Sequence, residues 1–318
     1  MTNSTPWFED GNIILQADIT QFKVFKGILA ANSVVFCEMF AGVAHPETAG
    51  QLEGCPIVRL SDNAKDLKLV LDVLFDPQYD YLGAEEDLNQ PMPLPALAAF
   101  LRLGRKYQMD FLRQKAVKNI LLAFSVDLKD FKATCIKRKA SEAHTLVNLL
   151  REQDLKHCLP SVLYMCVWMH ASGELSLFDY APEKLRPILS LQDIQLCVAA
   201  HQKLCRLTGL HTLSWLRPNA SIPETCRGKA WGCEALRARI HNKLMDPLIP
   251  CKPFLPWKSE WAKGLCDGCA GVAEAAHVAG RQKVWDELPS VFGLPGWEEL
   301  RTKWATVSRF CDVGKSLF

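Results

Sequence analysis

Asp10-Gly11-Asn12-Ile13-Ile14-Leu15, then Phe22-Lys23-Val24-Phe25-Lys26-Gly27-Ile28-Leu29-Ala30-Ala31-Asn32-Ser33 and Val35-Phe36-Cys37-Glu38-Met39-Phe40, is the stretch that decides how this chain is read. Ile13, Leu15 and Ala17 alternate with Ile14, Gln16 and Asp18, and Phe22 and Val24 with Lys23 and Phe25, which is the period of two of paired strands. Asp18-Ile19-Thr20 is short enough to join them as a hairpin. Beyond Lys26 the apolar spacing becomes three and four, through Ile28, Leu29, Val35, Phe36, Met39 and Phe40. Two short helices are therefore expected, with Ser33 as an N-cap.

Working outward, Ile57-Val58-Arg59-Leu60-Ser61-Asp62 reads as a third strand ending in a helix cap, and Leu67, Val70, Leu71 and Leu74 mark one helix face. An aromatic-rich turn, Phe75-Asp76-Pro77-Gln78-Tyr79-Asp80-Tyr81, follows. Pro91-Met92-Pro93-Leu94-Pro95 then interrupts regular structure before a helix from about Ala96, with Leu97, Leu101 and Gly104 on one side and Phe100, Leu103 and Tyr107 on another. With the run Leu101 to Met109 and Phe111-Leu112, the pattern as a whole resembles a BTB/POZ domain, a protein–protein interaction fold. The resemblance implies a short β-sheet with a helical cluster over residues 1–125. The expected fold class is α+β, with an all-α domain after that module.

Composition agrees. The chain has 318 residues, is 49% apolar and has a mean hydropathy near zero, enough for two packed domains. A net charge of +2 sets up no general field for nucleic acid or acidic membranes. Met1-Thr2-Asn3-Ser4-Thr5-Pro6 lacks the basic start and apolar run of a signal peptide, and no apolar stretch has the length of a membrane span. An intracellular location, in cytoplasm or nucleus, is expected. Thirteen cysteines in such a chain point to thiols or metal ligands rather than a disulfide framework. Cys37, Cys166, Cys197 and Cys205 lie in apolar helical runs and read as small buried hydrophobes.

The second half differs in kind. Residues 126–145 carry Lys129, Asp130, Lys132, Lys137, Arg138 and Lys139 and read as a charged connecting segment; Lys137-Arg138-Lys139 is too short to prefer a nuclear signal over a surface face. Residues 146–318 are helical in pattern. Pro160 opens a run to Ala171, apolar on nearly every side and ending at Gly173, which predicts a central buried helix. Ser190-Leu191-Gln192-Asp193 resembles a capping box before Ile194, Cys197, Val198, His201, Leu204 and Cys205. Trp297, Leu300, Trp304 and Val307 predict an inward stripe on a final helix. No repeat of solenoid or propeller length appears.

Cys226, Cys233, Cys251 and Cys266-Asp267-Gly268-Cys269 form the one constellation able to carry chemistry. Cys-x-x-Cys with Gly before the second thiol lets two sulfurs converge on one ion. One reading is a structural Zn²⁺ held chiefly by Cys226, Cys233, Cys266 and Cys269, with His241, Cys251 and His277 as alternative ligands; the other is a set of unliganded thiols. A redox role for Cys266 and Cys269 lacks the βαβ surroundings of a thioredoxin-like site. No phosphate-cradling glycine loop, His-Glu-x-x-His or Gly-x-Ser-x-Gly is present, so no enzyme is expected.

The BTB/POZ resemblance implies further positions. Asp10 and Lys26 occupy the places of a charged-pocket pair, although Val24-Phe25-Lys26 stands where the family has Ala-His-Lys. Adaptors for cullin-type ubiquitin ligases use the helix around Met39 and Phe40, followed by an apolar-x-Glu element. Here Ala41-Gly42-Val43-Ala44-His45-Pro46-Glu47 displaces that glutamate. Homodimers of the family swap a strand from an N-terminal extension, and with few residues before Asp10 only weak self-association is expected. The Asp-Gly-Asn-Ile-Ile-Leu opening and the Leu288 to Trp297 tail resemble the expanded set of fungal BTB-domain proteins. The expectation is a non-enzymatic interaction protein with a protein partner, a cullin among the candidates. A zinc-stabilised transcriptional regulator is the alternative, against which the absence of a clustered basic stripe argues; a cysteine-based redox protein is the third class.

Overall fold

The computed structural model describes residues 1–42, 48–76, 92–131, 140–174, 176–178, 180–181, 186–218, 220, 222–224, 226, 231–245 and 251–302. They fall into two compact units, Met1–Ala123 and Phe124–Phe318. The expectations for Tyr79, Tyr81, Val43 to Glu47, Lys132 to Lys139, Trp304 and Val307 lie outside the described residues.

The first unit is α+β. Its sheet has the order β1-β3-β2-β5-β4, from β1 (Thr2–Trp7), β2 (Ile13–Ala17), β3 (Thr20–Val24), β4 (Thr48–Leu52) and β5 (Cys55–Leu60). The predicted hairpin is β2 and β3, antiparallel from Ile13 opposite Val24 to Ala17 opposite Thr20. Asp18, at φ 51°, makes the tight turn that an Asp tolerates. Every residue of β2 is buried, because the strand is central and covered on both faces. On one face Ile14 packs with Cys55, Ile57 and Trp7. Two strands were not expected. β1 pairs parallel with β3, so the residues before Asp10 add a strand within the same chain, and β4 pairs antiparallel with β5.

After β3 come α1 (Lys26–Asn32) and α2 (Val34–Phe40), joined at Ser33. The Ser33 hydroxyl accepts from Phe36 N–H at 3.0 Å, the predicted cap, and donates to the Tyr107 carbonyl at 2.6 Å. The Phe36 ring stacks between Phe40 and Tyr107 at 5.7 and 4.5 Å. α3 (Ala64–Phe75) buries Leu67, Val70 and Leu71 as expected, but its cap is Asn63, not Ser61 or Asp62. α4 (Leu94–Lys106) is buried on both predicted sides, and α5 (Asp110–Ala123) packs against it.

The second unit is mainly helical, with α6 (Ala140–Glu152), α7 (Leu159–Ala171), α8 (Leu191–Leu207), α9 (Trp231–Met245) and α10 (Asp267–Val291) as its long elements among the described residues, but it is not all-α as expected: β6 (Tyr180–Ala181) and β7 (Arg186–Pro187) pair antiparallel. α7 is buried around nearly its whole circumference. It ends in a Schellman turn, with Glu174 N–H on the Met169 carbonyl, Gly173 N–H on the His170 carbonyl, and Gly173 at φ +77°. Ser190 caps α8 by accepting from Asp193 N–H at 3.0 Å. Part of the expected connecting segment instead joins this core. Trp285 Nε1–H donates to the Val126 carbonyl at 3.0 Å, and Phe131 sits among Tyr164, Phe254 and Trp285, because burying that ring outweighs the surrounding charges. Trp297 stacks on Trp285 at 5.1 Å, and both Trp297 and Leu300 are buried as predicted. Cys166 and Cys197 are buried, whereas Cys37 is exposed and Cys205 half-buried, a correction to their shared reading. No described helix is long and apolar enough to cross a membrane.

α8 runs on into a π-turn, Thr208–Thr212, against which α10 packs. Contact is closest at Gly280, where a Cβ would overlap the His211 carbonyl and lie 2.8 Å from Thr212 N. Both are backbone atoms that no rotamer change can move. Gly280→Ala is therefore expected to cost about 2 kcal/mol or more, the range of overpacking in a closed core, read as a fall in the urea midpoint of the second unit. An unchanged midpoint would show that the helices separate without cost.

Candidate metal centre

Four cysteines from three segments converge in the second unit. Cys226 follows a turn in which its N–H bonds the Pro223 carbonyl at 2.9 Å. Cys233 lies in the first turn of α9. Cys266 is the N-cap of α10, and Cys269 is in that helix's first turn. Gly264, at φ +90°, turns the chain into this cap. The Cys-x-x-Cys pair is thus a helix start rather than a free-standing knuckle. The reason is the extended backbone of Cys266 (φ −70°, ψ 158°), from which Asp267 enters helix directly.

The sulfur atoms of Cys226, Cys233, Cys266 and Cys269 all lie within 4.8 Å of one another. Cys226 and Cys266 Sγ are 3.7 Å apart, and Cys266 N–H donates to Cys233 Sγ at 3.3 Å. A tetrahedral ion with metal–sulfur bonds of about 2.3 Å spaces its sulfurs about 3.8 Å apart. A disulfide needs about 2.05 Å. The arrangement therefore fits four thiolates around one ion, and none of the four cysteines is in a disulfide.

The local field suits that chemistry. The Cys269 backbone N–H, followed by the neighbouring thiols, holds the Cys266 thiol down to about 7, while burial first and those thiols second push Cys269 up to about 12. The N-termini of α9 and α10 both face the cluster and favour negative charge there. An ion would displace the remaining protons, so its binding should weaken on acidification.

The alternative ligands are elsewhere. His241 pairs with its neighbour Asn242 at 3.4 Å. Cys251 lies with His201 and Cys205. His277 is wholly buried: Trp215 Nε1–H donates to its Nδ1 at 3.3 Å, and its Nε2–H donates to the Leu255 carbonyl at 2.8 Å. With both nitrogens engaged it has no lone pair to offer a metal. Burial lowers its pKa, which keeps it neutral.

The residues of the charged-pocket expectation lie in the first unit. Asp10 and Lys26 form no ion pair; Lys26 Nζ sits 5.2 Å from the centroid of the Phe40 ring. The buried cation is Lys23, bound at 2.8 Å to both the Glu9 carbonyl and Glu53, whose carboxylate raises the Lys23 pKa. Sequence reasoning passed over Lys23 because it stands at an ordinary alternating position; only Gly11, closely packed on its stem, hints at it. Met39 and Phe40 are half-buried, neither free anchors nor core.

Cadmium titration of the metal-free chain should develop thiolate-to-metal absorbance in the ultraviolet, reduced by Cys226→Ser and by Cys266→Ser. Equal absorbance in parent and variants would show that these sulfurs do not share an ion. No family model matches this chain, and no curated protein or solved structure matches it, so its function is read from its own residues and their geometry.

Proposed function

We propose that this chain is a non-enzymatic protein-interaction adaptor of the BTB/POZ type, with a helical second unit pinned by Zn²⁺. The order of a β-hairpin, two short helices, a third strand and a later helical pair supports the BTB/POZ reading. The observation that carries the interaction role is the apolar surface of α1 and α2. Val34, at the start of α2, is 51% exposed and Ile28 on α1 is 37% exposed, while Met39 and Phe40, on the other side of α2, are half-buried. Exposed apolar groups on the helices that correspond to the family's docking helix support a contact surface there. The partner is a cullin-type scaffold.

Phe40 is a poor probe of this surface because it also stacks on Phe36 and lies under Lys26. Val34 is cleaner: a charge there touches no core, so stability should stay within about 0.5 kcal/mol of the parent. Val34→Asp should weaken binding of the intact chain to a purified cullin N-terminal domain at least tenfold, about 1.4 kcal/mol, by titration calorimetry. Absence of cullin binding by the parent, or equal binding by the variant, overturns the reading.

Zinc is the ion favoured by four thiolates in closed tetrahedral array. It would crosslink the turn at Cys226 and the starts of α9 and α10, either side of residues 246–271, which are rich in Pro and Gly. Chelation, or the Cys266→Ser, Cys269→Ser double change, should lower the stability of the second unit and spare the first. Purified protein with well under one zinc per chain and a double variant as stable as the parent would leave these cysteines as ordinary thiols.

A further inference from the structure

A second cluster of ligating side chains lies apart from the four cysteines. His201 and Cys205 are one turn apart on α8, and His201 Nε2 stands 3.7 Å from Cys205 Sγ. Cys251 completes the group, with the three donor atoms all within 4.8 Å of one another. We propose that His201 Nε2, Cys205 Sγ and Cys251 Sγ form a second zinc site, with three protein ligands and a fourth position left to water or an exogenous ligand.

Spacing is the first argument. Zinc bonds of about 2.05 Å to nitrogen and 2.3 Å to sulfur, at tetrahedral angles, separate the donors by about 3.6 Å. The observed His201–Cys205 distance needs almost no adjustment. A helix places residues four apart on one face, so α8 alone supplies a two-ligand clamp.

The third ligand is fixed by contacts that do not depend on a metal. Thr212, at the end of the π-turn that continues α8, donates its hydroxyl to the Pro253 carbonyl at 2.7 Å. Leu255 N–H closes a turn onto the Lys252 carbonyl at 3.2 Å, and the Leu255 carbonyl accepts from His277. These bonds hold the segment after Cys251 against the C-terminal end of α8. Cys251 is buried, while His201 and Cys205 are half-buried, so the cluster has a protein side and a solvent side. That asymmetry suits an ion with an open position better than a closed structural centre.

Charge is the third argument. Two thiolates and a neutral imidazole balance the two positive charges of zinc, so the occupied site buries no net charge. The cation displaces thiol protons to solvent on binding, without any redox step. With one ligand fewer than the four-thiolate centre and an open side, this ion should be the one that exchanges readily.

The test is zinc stoichiometry of the intact chain, by elemental analysis after desalting and by competition with a chromogenic chelator. Two zinc ions per chain are expected, one released much faster than the other. His201→Ala and Cys205→Ser should each remove the fast ion alone, and His201→Cys, which keeps a ligand on the same helix face, should retain it. The Cys266→Ser, Cys269→Ser variant, checked by near-ultraviolet circular dichroism, should lose the slow ion and keep the fast one. A chain with one ion that Cys205→Ser removes, but this double variant does not, would refute the four-thiolate reading and leave this one standing. Unchanged zinc content in both His201→Ala and Cys205→Ser overturns the proposal. So does a Cys205–Cys251 disulfide, two hydrogens lighter, in protein prepared with zinc and without oxidant.

Discussion

The second unit is organised around a wholly buried imidazole that must satisfy both of its nitrogens. His277 accepts from Trp215 and donates to Leu255, and three tryptophan rings enclose the arrangement: Trp257 and Trp261 lie 5.5 and 5.3 Å from the imidazole, and each packs on Trp215. Leaving a buried polar nitrogen unpaired costs about 1–3 kcal/mol, so helix α10, the turn after α8 and the segment around Leu255 are obliged to meet. Both cysteine clusters inherit their positions from that meeting. Cys266 and Cys269 start the helix that carries His277, and Cys251 precedes the segment that His277 holds.

The first unit is governed by a different requirement, the covering of β2 on both faces. Its Ile13, Leu15 and Ala17 edge meets the need with apolar side chains; the opposite edge does so with a mixture of apolar and polar groups. There Gln21 donates to Gln16 at 3.0 Å and Lys23 reaches Glu53, so polar atoms are buried but paired. The face can be dry without being wholly hydrocarbon. Apolar groups left exposed in this unit include Val34 and Ile28 as well as Ile19, Leu52, Phe111 and Leu122, and the place of α1 and α2 in the order of elements is why those two helices carry the functional reading.

What could be read from sequence was what is local. The β2–β3 hairpin, the caps at Ser33 and Ser190 and the stop at Gly173 each depend on residues a few positions apart, and each is found. β1 was missed because Thr2–Trp7 is polar with a proline, and among the described residues its strand partner is β3, the second strand of the hairpin. Val126 and Phe131 looked like linker because their anchor, Trp285, is far along the chain. The four cysteines were legible as a set because two of them share a tight motif. Cys251 could be read only as an alternative ligand to that set, since nothing local reveals that Thr212 draws its segment towards α8. The contact of Lys26 with Phe40 was illegible for a similar reason: the ring lies on another helix.

Cys269, Ala273, His277, Gly280, Val284 and Leu288 recur on α10 at steps of three and four and are all buried, so one stripe carries a sulfur ligand, the central imidazole and the closest helix contact. A helix turns about 100° per residue. Adding or removing a single residue midway would swing one half of that stripe out of phase with the other, and no local adjustment could restore both. In evolutionary terms α10 is a ruler: related chains can change its exposed side chains freely, but they must conserve its length, and insertions should collect outside it.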